Sequence, residues 1–94
     1  MAQRVVIIGS RTGLHARPAA LFVQAAKSAP DPVRISRDGK PPVDARSILA
    51  VLSLGAEQGV EVTLEADGPT ADDTLDQLAA MLASDLDADP AETV

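Results

Sequence analysis

The sequence predicts an α+β fold of two layers, in which amphipathic helices cover one face of a β-sheet. Segments that alternate apolar and polar residues are interleaved with segments that repeat apolar residues at helical spacing, in the order β-α-β-β-α-β-α. Strands with a single apolar face need a cover, and the helices supply it. The 94 residues suffice for one domain with one modest core.

The first strand and the first helix are predicted from residue type and spacing. Residues 3–8 are rich in β-branched side chains, which favour a strand. A helix is predicted from residue 16 to about residue 27, because apolar residues recur there at i, i+3, i+4 and i+7. Two prolines within residues 28–32 then indicate a turn. The core stripe of this helix consists of Ala19, Phe22, Val23 and Ala26.

A β-hairpin is predicted next along the chain. Residues 33–37 alternate, with the valine and the isoleucine facing inward, and Asp38-Gly39 is typical of a hairpin turn. The return strand is predicted over residues 40–43. Because its two prolines cannot donate to a ladder, we expect this strand at the edge of the sheet.

The second half of the chain predicts a short helix, a strand and a longer helix. Ser47 is predicted as the N-cap of the helix over residues 47–53. Residues 60–66 alternate cleanly and predict the fourth strand. Thr70 is predicted as the N-cap of the last helix, which runs to about residue 84. The stripe of that helix consists of Leu75, Leu78, Ala79 and Leu82.

The chain is predicted to contain a single domain over residues 1–84. Residues 85–94 carry four acidic residues, a proline and little periodicity, and they predict a disordered acidic tail. No internal repeat and no linker interrupts the domain.

Composition disfavours several functional classes. The chain has no cysteine and one histidine, so disulfides, thiolate metal sites and multi-histidine metal sites are excluded. No apolar run, that of residues 5–8 included, is long enough to span a membrane, and we expect a cytoplasmic protein. A single aromatic residue and a net charge of −6 disfavour nucleic-acid binding. The sequence contains no phosphate-binding glycine loop and no hydrolase motif, and we expect no cofactor.

The charge is divided unevenly along the chain. Residues 1–46 contain all eight basic residues and three acids, for a net charge of +5, whereas residues 47–94 have a net charge of −11. This division suggests that a face containing Arg11, Arg17 and Arg46 meets an acidic partner. Solvated charge without any partner explains the division equally well.

The only histidine, His15, lies where the first predicted strand gives way to the first predicted helix. Gly13 permits a sharp turn before it, and Pro18 suits the first turn of a helix. The free N–H groups at a helix start attract anions, and the guanidinium of Arg17 matches phosphate oxygens. His15 is therefore either a phosphoryl-accepting residue or a surface histidine at the start of a helix.

A second notable stretch is Ala45-Arg46-Ser47-Ile48-Leu49-Ala50-Val51-Leu52-Ser53-Leu54-Gly55. Within it, Ile48, Leu49, Val51 and Leu52 cannot all face inward on so short a helix. Some are core, and the others form either an exposed docking surface or an ordinary stripe with one stray exposed residue.

Together these two stretches identify a resemblance. Residues 13–20 resemble the active-site motif of the HPr family, the histidine phosphocarriers of the bacterial phosphoenolpyruvate:sugar phosphotransferase system. Residues 45–55 resemble the regulatory-serine segment of the same family, and the similarity extends over roughly residues 3–84. The resemblance implies an open-faced sandwich, with a four-stranded antiparallel sheet covered on one face by three helices.

The resemblance also implies a function and a set of partners. His15 would take a phosphoryl group on Nδ1 from enzyme I, itself charged by phosphoenolpyruvate, and pass it to sugar-specific IIA proteins, with Arg17 stabilising the group. The protein would be a monomeric carrier rather than an enzyme. Its partners would dock on a surface formed by Arg11, Thr12, Arg46, Ile48, Leu49 and Leu52.

The resemblance also extends to regulation. Ser47 matches the serine that an ATP-dependent kinase phosphorylates in some bacteria, but it also has a complete explanation as an N-cap. Ala50 stands where the family often has glycine, which stiffens the helix and weakens the case for a regulatory Ser47. Two alternatives remain: a regulator that binds through the Ser47 face, and a carrier in a regulatory phosphorelay for nitrogen or potassium metabolism.

Overall fold

The computed structural model describes residues 2–10, 13–14 and 16–84. Arg11, Thr12, His15 and the tail predicted over residues 85–94 lie outside the described residues. The elements occur in the predicted order. They are β1 (Ala2–Ile7), α1 (Ala16–Ser28), β2 (Val33–Arg37), β3 (Val43–Asp44), α2 (Ile48–Ser53), β4 (Glu61–Ala66) and α3 (Ala71–Ala83).

The four strands form one antiparallel sheet in the order β1-β4-β2-β3. β4 is central and pairs with both β1 and β2, so that Leu64 lies opposite Arg4 on one side and Ile35 on the other. The predicted α+β class is confirmed. The strand order could not be predicted locally, because β4 enters between two strands that precede it by many residues.

One face of the sheet and the inner sides of the helices form a single core. The inward positions of β2 and β4 are buried, as their alternation predicted. The opposite face is open, and Val5 and Ile7 of β1 are half or more exposed there. The predicted stripe of α1 is confirmed, since all four residues are buried. In α3, Leu75, Leu78 and Leu82 are buried and Ala79 is partly buried.

The return strand of the hairpin begins later than predicted. The turn itself is confirmed: the Lys40 N–H donates to the Arg37 carbonyl at 3.0 Å, and Gly39 adopts a φ of 67°. The expectation of a strand over residues 40–43 was wrong, because β3 contains only Val43 and Asp44. Pro41 and Pro42 have no N–H groups to donate, so pairing with β2 starts after them.

Thr70 precedes α3 as predicted, but its side chain makes no capping hydrogen bond. Its hydroxyl instead donates to Oδ2 of Asp31 at 2.6 Å. The predicted position of Thr70 as the N-cap is confirmed, but its hydroxyl does not cap α3. Thr70 ties the turn after α1 to the start of α3, a contact between residues far apart in the sequence.

Part of the charge asymmetry is neutralised by ion pairs between the basic first half and the acidic second half of the chain. Arg4 of β1 forms ion pairs with Asp76 at 2.8 Å and Asp72 at 3.1 Å, both on α3. These hydrogen-bonded carboxylates raise the pKa of the Arg4 guanidinium. The first-turn acid Asp72 therefore fastens the edge strand to the last helix in addition to lying near a helix N-terminus.

Candidate functional site

The structure describes residues on both sides of His15. α1 begins at Ala16, the residue after His15, and the preceding Gly13 and Leu14 are described as well. His15 itself, Arg11 and Thr12 are predicted site residues outside the described part of the chain.

Gly13 is required both by backbone conformation and by lack of space. Its φ is 73°, in the region that favours glycine. A Cβ at this position would lie 2.6 Å from the carbonyl oxygen of Ala56 and 2.7 Å from Cα of Glu57. No other residue fits here without displacing backbone, so the segment before His15 lies directly on the loop that follows α2.

The backbone is fixed on both sides of His15. The Leu14 N–H donates to the Ala56 carbonyl at 2.7 Å, and the Leu14 side chain is fully buried. On the other side, Pro18 and Ala19 in the first turn of α1 are buried. The start of α1 is therefore held to the core by the residues before and after His15.

Residues 54–57, here called the support loop, connect α2 to the turn before β4. Ala56 is fully buried and its carbonyl accepts the Leu14 N–H. From the other direction, Nη1 of Arg37 donates to the carbonyls of Leu54 at 3.2 Å and Gly55 at 2.8 Å. The support loop thus lies between the end of β2 and the segment that leads to His15.

Sequence reasoning missed Arg37. A signal was present, because Arg37 continues the alternation of two inward-facing residues, Val33 and Ile35. A charged residue at an inward position of a strand needs a polar partner. The partner, the end of α2, is 17 residues further along the chain and could not be identified from spacing.

Arg17 lies on the exposed side of the first turn of α1. Its guanidinium makes no hydrogen bond or ion pair with any other residue that the structure describes. A shallow groove of about 310 Å³ runs from Arg17 along α1 toward α2. The groove is lined by Arg17, Ala20, Leu21, Val23, Gln24, Lys27 and Ile48.

The short helix α2 presents apolar side chains to solvent. Leu49 is 77% exposed and Ile48 is 38% exposed, whereas Val51 is fully buried and Leu52 is partly buried. The expectation that these four residues cannot all face inward is confirmed. Ile48, Leu49 and Leu52 together make up the α2 surface.

Ser47 is the N-cap of α2, as predicted. Its Oγ accepts a hydrogen bond from the Ala50 N–H at 3.3 Å, and its backbone is extended. Ser47 is partly buried. This geometry satisfies one of the free N–H groups at the start of α2.

The Arg46 side chain is hydrogen-bonded to backbone carbonyls rather than extended into solvent. Its Nη2 donates to the Ala29 carbonyl at 2.9 Å and its Nε to the Ala26 carbonyl at 3.3 Å, at the C-terminal end of α1. A 13-residue helix is about 20 Å long, so this end is remote from Ala16. The structure therefore separates Arg46 from Arg17 along α1, and the charge on Arg46 complements the helix dipole.

The described residues offer neither a metal-binding cluster nor a membrane-spanning helix. Within residues 2–10, 13–14 and 16–84, no group of three or more His, Cys, Asp or Glu residues could hold a metal ion. The described helices are also too short or too polar to cross a membrane.

Comparison with known proteins identifies the class defined by this fold. The family model described as "PTS HPr component phosphorylation site" matches residues 2–84. The chain is 47% identical over 94 residues to "Phosphocarrier protein HPr" of Streptomyces coelicolor, with both chains fully covered. It is 46% identical over 80 residues to "HPr-like protein Crh" of Bacillus subtilis, covering 85% of this chain and 93% of that one.

A solved structure agrees with this result. The crystal structure of HPr-C-His from Thermoanaerobacter tengcongensis aligns with a TM-score of 0.86 and 37% identity, covering 95% of this chain and 99% of the other. The fold and the matched segment define a phosphoryl carrier. The chain belongs to the HPr family of the phosphotransferase system and interacts with the enzymes of that system.

Proposed function

We propose that this chain accepts a phosphoryl group on His15 from phosphorylated enzyme I and passes it to IIA proteins for sugar uptake. One observation carries the assignment: the single histidine lies directly before α1, between a buried leucine and a buried proline, within the matched segment of a phosphocarrier family. The chain acts as a monomeric carrier and not as an enzyme. Its place is the cytoplasm, where phosphoenolpyruvate supplies enzyme I.

The transfer requires a neutral imidazole as the nucleophile. Nδ1 of His15 attacks phosphorus, a nitrogen–phosphorus bond forms, and the bond between phosphorus and the donor breaks. The positive end of α1 and the Arg17 cation both disfavour an imidazolium, so both favour the neutral form that can attack phosphorus. The same two features then stabilise the negative charge of the transferred group.

Partner docking is assigned to the α2 surface together with the basic residues around it. The exposure of Leu49 and Ile48 supports an apolar centre for this contact. Arg11, Thr12 and Arg17, which flank His15 in the sequence, are assigned to the rim of this contact. Because the Arg46 guanidinium is bonded to α1 carbonyls, Arg46 contributes its positive potential rather than a mobile side chain.

Ser47 is proposed as a phosphorylation site for an ATP-dependent kinase. Its side chain lies beside the α2 surface, where a phosphate would add about two negative charges. An acidic partner would then be repelled. The N-cap hydrogen bond gives Ser47 a structural role in addition.

A purely regulatory HPr-like protein is the second candidate. It is considered because the chain is 46% identical to the protein named Crh. Such a protein would bind through the Ser47 face without carrying phosphate. The presence of His15 and the exposed Arg17 favours the carrier.

Incubation with purified enzyme I and phosphoenolpyruvate tests the proposal. We expect the intact mass to increase by one phosphoryl group, and the adduct to be lost in acid and retained in base. An unmodified chain, in a reaction where a known HPr is modified, would favour the regulatory candidate.

A further inference from the structure

We propose that Arg37 is a positioning residue for phosphoryl transfer: by holding the support loop, it fixes the backbone immediately before His15. The inference rests on the proposed function, since it concerns the same site. The side-chain hydrogen bonds of Arg37 that the structure describes end on the Leu54 and Gly55 carbonyls of the support loop. Its effect passes through two successive sets of hydrogen bonds.

The first set joins Arg37 to the end of α2. Carbonyls at a helix C-terminus have no intrahelical donors, and in this short helix the chain turns away at Gly55 with a φ of 61°. Nη1 of Arg37 donates to the carbonyls of both Leu54 and Gly55. The cation also complements the negative end of the helix.

The second set joins the support loop to the segment before His15. The Gly55 carbonyl, which Arg37 binds, is one peptide unit from the Ala56 carbonyl, which binds the Leu14 N–H. Gly13 packs against the same carbonyl so closely that no Cβ fits. A rotation of the peptide after Gly55 therefore changes the position of Leu14, and with it the residue that follows.

Fold stability alone does not account for an arginine at this position. Arg37 occupies the last inward position of β2, opposite the buried Val62 of β4, where an apolar residue would pack without loss of hydration. The other described arginine on β2, Arg34, is exposed. A charged group at an inward position is explained if the precise placement of the support loop matters, because small errors in placement slow transfer greatly.

The test compares Arg37→Gln with two matched controls. Arg34→Gln removes the same charge from an exposed position of the same strand, and Arg4→Gln removes an arginine that stabilises the fold through α3, far from the support loop. Two quantities are measured for each variant: amide hydrogen exchange at Leu14, and the rate of phosphoryl transfer from phosphorylated enzyme I as a function of carrier concentration.

We expect Arg37→Gln to increase Leu14 exchange about tenfold and to lower the maximal transfer rate about tenfold, with little change in the half-saturating concentration. Arg4→Gln should lower the melting temperature without either effect, and Arg34→Gln should resemble the wild type. Arg37→Lys keeps one donating group and should recover part of the rate.

Three results would overturn the inference: a wild-type maximal rate in Arg37→Gln, a reduced rate with unchanged Leu14 exchange, or an equal loss of rate in Arg4→Gln at matched stability. If Arg37→Gln fails to fold, Arg37→Lys decides in its place, and wild-type Leu14 exchange and rate in that variant would overturn the inference. Failure of the proposed function is seen separately, as a wild-type chain that takes no phosphoryl group at all.

Discussion

The N–H of Leu14 and the carbonyl oxygen of Ala56 are joined by a 2.7 Å hydrogen bond, although 42 positions separate them in the sequence. This bond connects the two stretches that carry the family resemblance. The segment before His15 lies on the support loop, and the support loop is the continuation of α2. The proposed phosphoryl site and the α2 surface are therefore built on a common backbone unit.

Gly13→Ala tests whether this close approach matters. A Cβ would collide with the Ala56 carbonyl, and the positive φ would be strained as well. We expect a loss of about 2–4 kcal/mol in the free energy of unfolding, measured by denaturant titration, together with slower phosphoryl transfer.

Gly39→Ala is the matched control for that variant. Gly39 has a similar φ of 67°, but no atom lies within 4 Å of a Cβ built there. It should lose only about 1 kcal/mol, the conformational part of the penalty. Equal losses of unfolding free energy in the two variants would show that the close contact with Ala56 does not contribute to the cost of Gly13→Ala.

Arg17→Ala tests electrostatic stabilisation at the phosphoryl site. The side chain is exposed and packs into no core, so the fold should be unaffected. Removing one stabilising donor from a catalytic site commonly costs about 2–4 kcal/mol, and we expect transfer to slow by about 10²-fold or more. The measurement is the rate of transfer in both directions, with Arg34→Ala as a control for loss of charge. Rates within about twofold of those of Arg34→Ala would show that Arg17 is an ordinary surface charge with no role in stabilising the transferred group.

Leu49→Asp tests the docking role of the α2 surface. Leu49 is 77% exposed, so an aspartate there should leave the stability nearly unchanged while weakening binding to enzyme I about tenfold or more. Val5→Asp, at a position 60% exposed on the open face of the sheet, is the matched control. Binding measured by calorimetry should also weaken as salt rises, because the basic rim acts through long-range attraction. Equal effects of the two substitutions would exclude the α2 surface as the contact.

Ser47→Asp tests regulation by added charge. Aspartate is as good an N-cap as serine and interacts favourably with a helix N-terminus, so the melting temperature should stay the same or rise. The rate of His15 phosphorylation should fall, because the charge lies beside the α2 surface. Ser53→Asp places the same charge at the last residue of α2 and should lower the melting temperature. If Ser47→Asp lowers both the melting temperature and the rate of His15 phosphorylation, the N-cap is damaged. If the rate is unchanged, negative charge at position 47 does not regulate phosphoryl transfer.

The sequence predicted those features that depend on neighbouring residues. The stripe of α1, the burial of Val33 and Ile35 and the cap at Ser47 follow from spacing over a few positions, and the structure confirms them. Two features that local patterns did not predict involve long-range partners. Thr70 bonds to Asp31 and Arg37 bonds to the end of α2, and neither partner is within reach of a local pattern.

The site itself could be predicted only in part, for a related reason. The crowding of apolar residues on a short helix predicted that some of them are exposed, and Leu49 is one of these. The hydrogen-bond partners of a long basic side chain could not be predicted, because a guanidinium on a flexible stem can reach carbonyls in several directions. Arg46 was therefore predicted beside Arg17, although it bonds to the far end of α1.

Intact-mass measurement of His15→Ala after incubation with enzyme I and phosphoenolpyruvate tests the central claim most directly. Ser47→Ala is measured in parallel, because it removes the other proposed phosphorylation site. We expect Ser47→Ala to gain one acid-labile phosphoryl group, as the wild type does, and His15→Ala to gain none while retaining the wild-type circular dichroism spectrum. An acid-labile phosphoryl group on folded His15→Ala would contradict the account.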